Sequence, residues 1–196
     1  MGRKERKQER AKQIFMSVLI SFLMIFSVFG VIIGSQNNSM KYGKFKFTQA
    51  QNSYVTKING REVPFYTLPA ESSFINVSPE IRNLLKDSYF IVISFDPVAA
   101  KESLAAVEIA RFDFSQYFDG KLVYNAVTDN TGEYSEQPVI TCANATVETP
   151  VIYFNLSDTP SIINIDNCIY LNAKGRDVLV LRDRLLYSYL GVIQDE

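Results

Sequence analysis

Residues 89–95 read YFIVISF, and this short run decides the fold. It is nearly all apolar, carries no charge, and ends at Asp96-Pro97. A strand that is apolar at almost every position is typical of a central strand covered on both faces, as in parallel or mixed sheets. We therefore expect residues 89–95 to lie in the middle of a mixed sheet.

The sequence that follows this run completes a strand–helix–strand unit. Residues 102–118 have helical periodicity, Asp119-Gly120 ends the helix, and residues 121–127 form the next strand. This order and spacing predict a parallel βαβ unit. On the buried face of the helix we expect Ala105, Ile109 and Phe112, with Leu104, Val107, Phe114 and Phe118 close to it.

The residues before the run predict an antiparallel β-meander. Residues 43–49 and 54–58 alternate apolar and polar side chains, which is the period of a strand. Asn59-Gly60 follows, and this pair is a strong hairpin signal because both turn residues need positive φ. Residues 63–68 form the third strand, and Pro64 indicates that this strand lies at a sheet edge or contains a bulge.

The remaining elements are short strands and two helices. Ser78-Pro79-Glu80 carries the signals of a helix start, so a helix is predicted at residues 79–86. A final helix with a broad apolar face is predicted at residues 176–190. Within it, Arg182-Asp183-Arg184 predicts a salt-bridged polar face, or an anchor to an acidic loop. Four strands are predicted at residues 138–142, 151–156, 162–166 and 168–171.

A charge-free run near the N-terminus, residues 14–33, reads IFMSVLISFLMIFSVFGVII. Twenty residues make roughly 30 Å of helix, the thickness of a bilayer's hydrocarbon core. Six basic and two acidic side chains lie within the first twelve residues. The positive-inside rule therefore places the N-terminus in the cytoplasm and everything after Ser35 outside. The alternatives are a cleaved signal peptide, which usually has a shorter run, and a core helix, which would show a polar face.

Together these patterns predict an α+β protein with an N-terminal transmembrane helix followed by one extracytoplasmic mixed-sheet domain that opens with a β-meander. The predicted boundaries are a cytoplasmic basic tail at 1–13, the transmembrane helix at 14–34 and the extracytoplasmic domain at 35–196. Gly30 and Gly34 stand four residues apart, a spacing that lets two membrane helices approach closely. A homo-oligomer formed through this helix is therefore one expectation.

Charge and cysteine content narrow the setting of residues 35–196. From Ser35 onward the chain has 14 basic and 19 acidic side chains, so nucleic acid is not an expected partner. Both cysteines, Cys142 and Cys168, lie on the predicted outer side. An even pair in an oxidising compartment favours a disulfide, and two buried free thiols are the alternative.

Four Asn-x-Ser/Thr sequons are candidate glycosylation sites on the predicted outer side. They begin at Asn37, Asn76, Asn144 and Asn155. Pro79 follows the sequon of Asn76, which makes Asn76 the poorest acceptor of the four. Unmodified surface asparagines are the alternative.

Few residues of this sequence can carry chemistry. The chain has no histidine, which removes His-based triads and His metal sites, and it has no Gly-rich phosphate loop. The candidates that remain are the carboxylates Asp96, Asp113, Asp119 and Asp129. Asp96 follows the carboxyl end of a predicted central strand, where α/β sheets often bind ligands, although a turn or helix cap is the simpler role.

Two further acidic groups have simple interpretations. Asp113 and Glu108 are expected to be solvated charges on one helix. Residues 129–133, DNTGE, loosely resemble a calcium loop but lack the spacing of an EF-hand, so we expect an ordinary acidic turn. No metal ion or cofactor is predicted.

Four stretches are VTKINGREVPFY (55–66), ITCANATVETPVIYF (140–154), DNCIYLNAKG (166–175) and RDRLLYSYLG (182–191). As a set they resemble a group of uncharacterised archaeal single-pass membrane proteins with a small extracytoplasmic domain. The resemblance implies an envelope setting and a pairing of Cys142 with Cys168. It carries no catalytic residue over to this chain.

The expected function is non-enzymatic: a membrane-anchored structural or interaction domain of the cell envelope, for example a subunit of a membrane complex. The expected partners are membrane lipid around residues 14–34 and other envelope or membrane proteins. An anchored hydrolase or glycan-acting enzyme is the alternative, and it needs two carboxylates about 5–10 Å apart in a cleft. A pilin-like filament subunit is a further alternative, although Lys12 departs from the processing-site pattern.

Overall fold

The computed structural model describes residues 14–27 and 39–194. They fall into two units, one within Met1–Asn38 and one within Ser39–Glu196. In the first unit, residues 14–27 form a helix, α1, whose apolar side chains are exposed. Among the described residues no helix is both long enough and apolar enough to cross a bilayer. The predicted basic tail at 1–13, the rest of the predicted span at 28–34, and Asn37 lie outside the described residues.

The second unit opens with a four-stranded antiparallel sheet, sheet A, in which sequence neighbours pair in the order β1-β2-β3-β4. Its strands are β1 (Ser39–Tyr42), β2 (Phe45–Ala50), β3 (Ser53–Ile58) and β4 (Arg61–Phe65). Asn59 and Gly60 join β3 to β4 with φ of 50° and 85°, so the predicted hairpin and β-meander are confirmed. Pro64 lies in β4, an edge strand, as its missing N–H requires.

A five-stranded mixed sheet, sheet B, follows with the order β6-β5-β7-β9-β8. Its strands are β5 (Phe90–Phe95), β6 (Leu122–Asn125), β7 (Val151–Asn155), β8 (Ser161–Ile165) and β9 (Cys168–Asn172). β5 pairs in parallel with β6 and β7, β7 pairs in parallel with β9, and β8 pairs antiparallel to β9. The apolar run that begins at Tyr89 therefore forms an inner strand of a mixed sheet, as predicted, with β6 at one edge.

Four helices complete this unit: α2 (Pro69–Ser72), α3 (Pro79–Asp87), α4 (Leu104–Tyr117) and α5 (Asp177–Tyr189). α5 lies at the centre of the fold. It contacts α2, α3, α4, β8 and β9, while its Tyr187 ring packs on Phe47 of β2 and Phe65 of β4. Because neighbours surround it, nine of its thirteen residues are buried, including charged ones. The predicted salt bridges are present at Arg182, but these residues are buried and form no exposed polar face.

The buried face of α4 also differs from the prediction. Phe112 is 64% exposed and Ile109 is 40% exposed, whereas Val107, Ala110 and Phe114 are buried. The observed inner face carries Val107, Ala110, Phe114 and Phe118, which share the spacing of one helix face. Arg111 and Asp113 are buried beside them, and Asp113 pairs with Arg182 of α5. The predicted inner face of Ala105, Ile109 and Phe112 is an exposed stripe instead.

The two faces of sheet B are covered differently. Helices cover one face, where Ile93, Ile152 and Ile169 belong to the main core. On the other face, the segment between β6 and β7 packs Ile140, Cys142 and Ala145 against the sheet. Residues 138–142, predicted as a strand, form only a single bridge, Val127 to Val139, before a short 3-10 turn at Cys142–Asn144. A disulfide joins Cys142 to Cys168 and ties this segment to β9.

Candidate functional site

Arg182 of α5 is the centre of a buried cluster of charged groups. Its side chain is fully buried, and its Nη1 donates to the Pro64 carbonyl at 2.9 Å and to Asp183 Oδ1 at 2.5 Å. Its Nη2 lies 3.1 Å from Asp113 Oδ2 on α4. The guanidinium thus connects α5 to the edge strand β4 and to α4.

Asp183, the residue after Arg182, connects α5 to the residues that follow β4. Its Oδ2 accepts hydrogen bonds from the backbone N–H groups of Tyr66 and Thr67 at 2.6 and 2.7 Å, and from Thr67 Oγ1 at 3.0 Å. Burial raises the pKa of Asp183 to about 6, although Arg182 and the bonds from Thr67 act in the opposite direction. Burial also raises the pKa of Asp113, against the effect of Arg182.

Aromatic rings seal the cluster from solvent. The Arg182 guanidinium carbon lies 5.4 to 5.6 Å from the ring centres of Phe65, Tyr66 and Tyr117, and the Tyr187 hydroxyl donates to the Thr67 carbonyl. Arg182 and Asp183 are both completely buried, and their contacts connect α5 to α4, to β4 and to the residues that follow β4. The interpretation of Asp113 as a solvated charge is wrong.

The other candidate carboxylates have separate local roles. Asp96 Oδ1 accepts from the backbone N–H groups of Val98 and Ala99 at 2.9 and 3.0 Å, so it caps the turn after β5. Asp119 is exposed and pairs with Arg61 at 3.1 Å. Asp129 lies in an exposed loop. None of the four candidate carboxylates, Asp113 included, lines the three surface clefts beside sheet A.

The structure also bears on metal binding and on the candidate glycosylation sites. Within the described ranges, no group of three or more acidic or cysteine side chains is arranged to hold a metal ion. Asn76 and Asn144 are exposed. Asn155 ends β7, and its Nδ2 donates to Asn172 Oδ1 at 2.7 Å. Asn172 in turn donates to Ser161 Oγ at 3.0 Å, so Asn155 belongs to a ladder of polar side chains across the sheet.

The most distinctive exposed feature is a group of apolar side chains at the β6 edge of sheet B, which we call the β6 patch. It consists of Tyr89, Phe90, Leu122 and Tyr124, whose exposed fractions are 59%, 37%, 44% and 50%. Phe90 stacks on Tyr124 with ring centres 5.9 Å apart, and Tyr89 contacts Phe90 edge-on at 5.0 Å. These rings are ordered against each other on an open surface.

The backbone is open along this edge over β6 itself, and just beyond it Val127 pairs with the segment at Pro138 and Ile140. Within residues 39–194, β6 has a strand neighbour on one side only. Leu122 N–H donates to Tyr89 O at 3.0 Å and Ala126 N–H to Ile93 O at 2.8 Å. Since successive backbone groups of a strand point to opposite sides, the N–H groups of Val123 and Asn125 point away from the sheet.

Sequence reasoning did not identify the β6 patch. Alternation places Leu122 and Tyr124 on one face of the strand and Val123 on the other, but it does not show which face is covered. The strand register shows which face it is. Leu122 pairs with Phe90 and Tyr124 pairs with Val92, on the face of sheet B away from the helices. Only the position of β6 at an edge leaves this row exposed.

Neither a protein-family model, nor a curated protein, nor a solved structure matches this chain.

Proposed function

We propose that this chain is a membrane-anchored, extracytoplasmic interaction domain that binds another protein of the cell envelope through the β6 patch. The anchor and the orientation are supported by the charge-free run at 14–33 and the basic residues before it. The observation that carries the binding role is the β6 patch, which combines three aromatic rings and a leucine with an open strand edge.

The chemistry of the patch matches that of protein-binding surfaces. Contiguous exposed apolar surface is uncommon on monomeric proteins and marks binding sites. Tyrosine is enriched among the residues that dominate binding energy, because its ring buries a large area at small entropic cost. An open edge strand also offers backbone groups to an extended segment of a partner. The partner is therefore expected to supply an exposed strand with apolar side chains on one face.

The geometry gives less support to a carboxylate-dependent hydrolase. That mechanism requires two carboxylates facing each other across a cleft, one of them with a raised pKa. Asp113 has a raised pKa but faces the buried Arg182, while Asp96 and Asp119 are held by other partners. These separate partners favour a binding role over a hydrolytic one.

The proposal is tested by crosslinking in intact membranes. A photoreactive amino acid at position 124 is expected to capture one envelope protein, identified by mass spectrometry, and Leu122→Asp is expected to abolish the capture. The matched control is Phe74, a loop residue that is 74% exposed and outside the patch, where a photoreactive residue should not capture the same partner. Equal capture from positions 74 and 124 would contradict the proposal. Protease added to intact cells should digest residues 39–194, and protection of that region would refute the orientation.

A further inference from the structure

We propose that a second surface, a cleft beside the β2–β3 turn, binds the carboxylate-bearing sugar unit of an acidic glycan. The cleft is formed by sheet A and the start of α5, and its residues are separate from the β6 patch. The inference therefore goes beyond the protein-binding role and does not depend on it.

The cleft has the size of a small-molecule site. Its volume is about 510 Å³, within the range of roughly 300–1,000 Å³ found for ligand pockets. A smaller cleft of about 300 Å³ adjoins it and shares Gln51, Asn52 and Tyr66. The side chains that matter for recognition are Gln49, Gln51, Asn52, Tyr54, Tyr66 and Arg176.

The charge of the cleft selects an anion. Arg176, the residue before α5, is its only charged lining group among the described residues, and no carboxylate lines it. In the described part of the chain Arg176 forms no ion pair and no side-chain hydrogen bond. A guanidinium binds a carboxylate through two parallel hydrogen bonds. A single positive charge suits a carboxylate better than a phosphate monoester, which carries about two negative charges at neutral pH.

The uncharged groups of the cleft select hydroxyls. Gln49, Gln51 and Asn52 make no side-chain hydrogen bond to any other described residue. Each amide offers both donors and acceptors, as required by sugar hydroxyls, which themselves donate and accept. The rings of Tyr54 and Tyr66 add apolar surface with a polar tip, which suits the apolar faces of a sugar. The expected ligand therefore has a carboxylate, hydroxyls and apolar ring faces, which is the chemistry of a uronic acid.

The position of these groups is fixed by the fold. The Tyr66 N–H donates to buried Asp183, and its hydroxyl lies 3.4 Å from Asp113 Oδ2. Gln51 occupies the first position of the two-residue β2–β3 turn with φ of 42°. Hairpins of this length favour glycine where φ is positive, because a side chain there is strained. Gln51 nevertheless occupies this position, and it lines the cleft.

The test is titration of the purified full chain in detergent micelles with glucuronic acid, followed by NMR or calorimetry. We expect millimolar binding of glucuronic acid, with glucose and inorganic phosphate each at least tenfold weaker. Arg176→Ala should weaken glucuronate binding at least tenfold, and Arg176→Lys should weaken it less. Arg82→Ala is the matched control, since this arginine of α3 does not line the cleft, and it should bind like the natural chain.

Gln51→Gly separates a binding effect from a folding effect. Glycine accepts the positive φ, so the melting temperature should be unchanged or higher while glucuronate binding weakens. The patch variant Leu122→Asp should leave glucuronate binding unchanged, so failure of the partner capture and failure of this proposal are distinguishable. The proposal is overturned if glucose or phosphate binds as tightly as glucuronate, if an acidic peptide binds more tightly, or if Arg176→Ala binds normally.

Discussion

At the scale of single residues, Arg182 and Asp183 illustrate how buried charge is tolerated in this protein. Both side chains are completely buried, and together they contact Pro64, Tyr66, Thr67 and Asp113. A buried charge is costly unless it is paired and hydrogen-bonded. Removing one partner of such a pair typically costs about 3–5 kcal/mol, because the other charge is left uncompensated.

Asp183 is predicted to make the stability of the fold depend on pH. Burial raises its pKa to about 6, from 3.8 for the ordinary group. The folded protein therefore holds the proton more tightly than the unfolded chain, and the contribution of Asp183 to stability is present below pH 3.8 and lost as the pH rises through about 6. We expect the free energy of unfolding of the natural chain, relative to that of Asp183→Asn, to fall as the pH rises from 4 to 7.

Urea unfolding followed by circular dichroism at several pH values measures this difference. Asp119→Asn is the control, because Asp119 is an exposed carboxylate whose ion pair with Arg61 is open to solvent. Its difference from the natural chain should stay nearly constant. A difference between the natural chain and Asp183→Asn that grows in favour of the natural chain between pH 4 and 7 would contradict the prediction.

At the scale of elements, α4 buries charged side chains beside apolar ones. Arg111 donates through Nε to Asn125 at 3.2 Å and through Nη1 to Glu108 at 2.6 Å, and its guanidinium covers the Phe95 ring at 4.7 Å. Asp113 points to Arg182. On the same helix Phe114 is buried and Phe112 is exposed.

A pair of matched substitutions tests the orientation of α4. Phe114→Ala should lower the free energy of unfolding by about 3–5 kcal/mol, because it leaves a cavity among Phe118 and Phe154. Phe112→Ala should change it by no more than about 0.5 kcal/mol, because the ring is mostly exposed. Chemical denaturation measures both. Equal decreases in the free energy of unfolding for the two variants would contradict this orientation of α4.

At the scale of the whole molecule, the disulfide decides how the helix-free face of sheet B is covered. Cys142 and Cys168 are 26 residues apart in sequence. On the chain-entropy model a loop of this length contributes about 3–4 kcal/mol to the free energy of unfolding. Replacing both cysteines by serine should lower stability by about that amount. A reducing agent should destabilise the natural chain but not the double variant, and equal sensitivity of the two proteins would contradict this.

The sheet also predicts which sequons can carry a glycan. Asn144 is exposed in a 3-10 turn, and its Oδ1 accepts from Thr141, so its amide nitrogen faces away from that contact. Asn155 instead donates its amide nitrogen to Asn172 within the sheet. If residues 39–194 are outside the membrane of a glycosylating cell, mass spectrometry should find glycan on Asn144 and none on Asn155. A glycan on Asn155 would require the Asn155–Asn172 bond to open.

Several elements could be predicted from the sequence because local signals set them. Asn59-Gly60 predicted the hairpin, since both positions of this turn need positive φ and few other residues accept it. The nearly all-apolar run at 90–95 predicted an inner strand, since a strand covered on both faces has few polar positions. Pro64 predicted an edge strand, since proline has no backbone N–H to donate to a neighbouring strand.

Other features depend on packing between residues far apart in the chain. Residues 138–142 pair only with Val127, just after β6, and so form a single bridge instead of a strand. The candidate carboxylates could be named from the sequence, but their partners could not, because Asp113 and Arg182 are separated by 69 positions and meet only when α4 packs on α5.

The sequence by itself determined the hairpin at Asn59-Gly60, the inner strand of a mixed sheet and the choice of Cys142 and Cys168 as a candidate pair, because propensity, periodicity and residue count are properties of the chain. Only the tertiary structure decided that Arg182 and Asp183 are buried and that Leu122 and Tyr124 are exposed. Burial depends on what covers a face, and the residues that cover these faces lie far away in sequence.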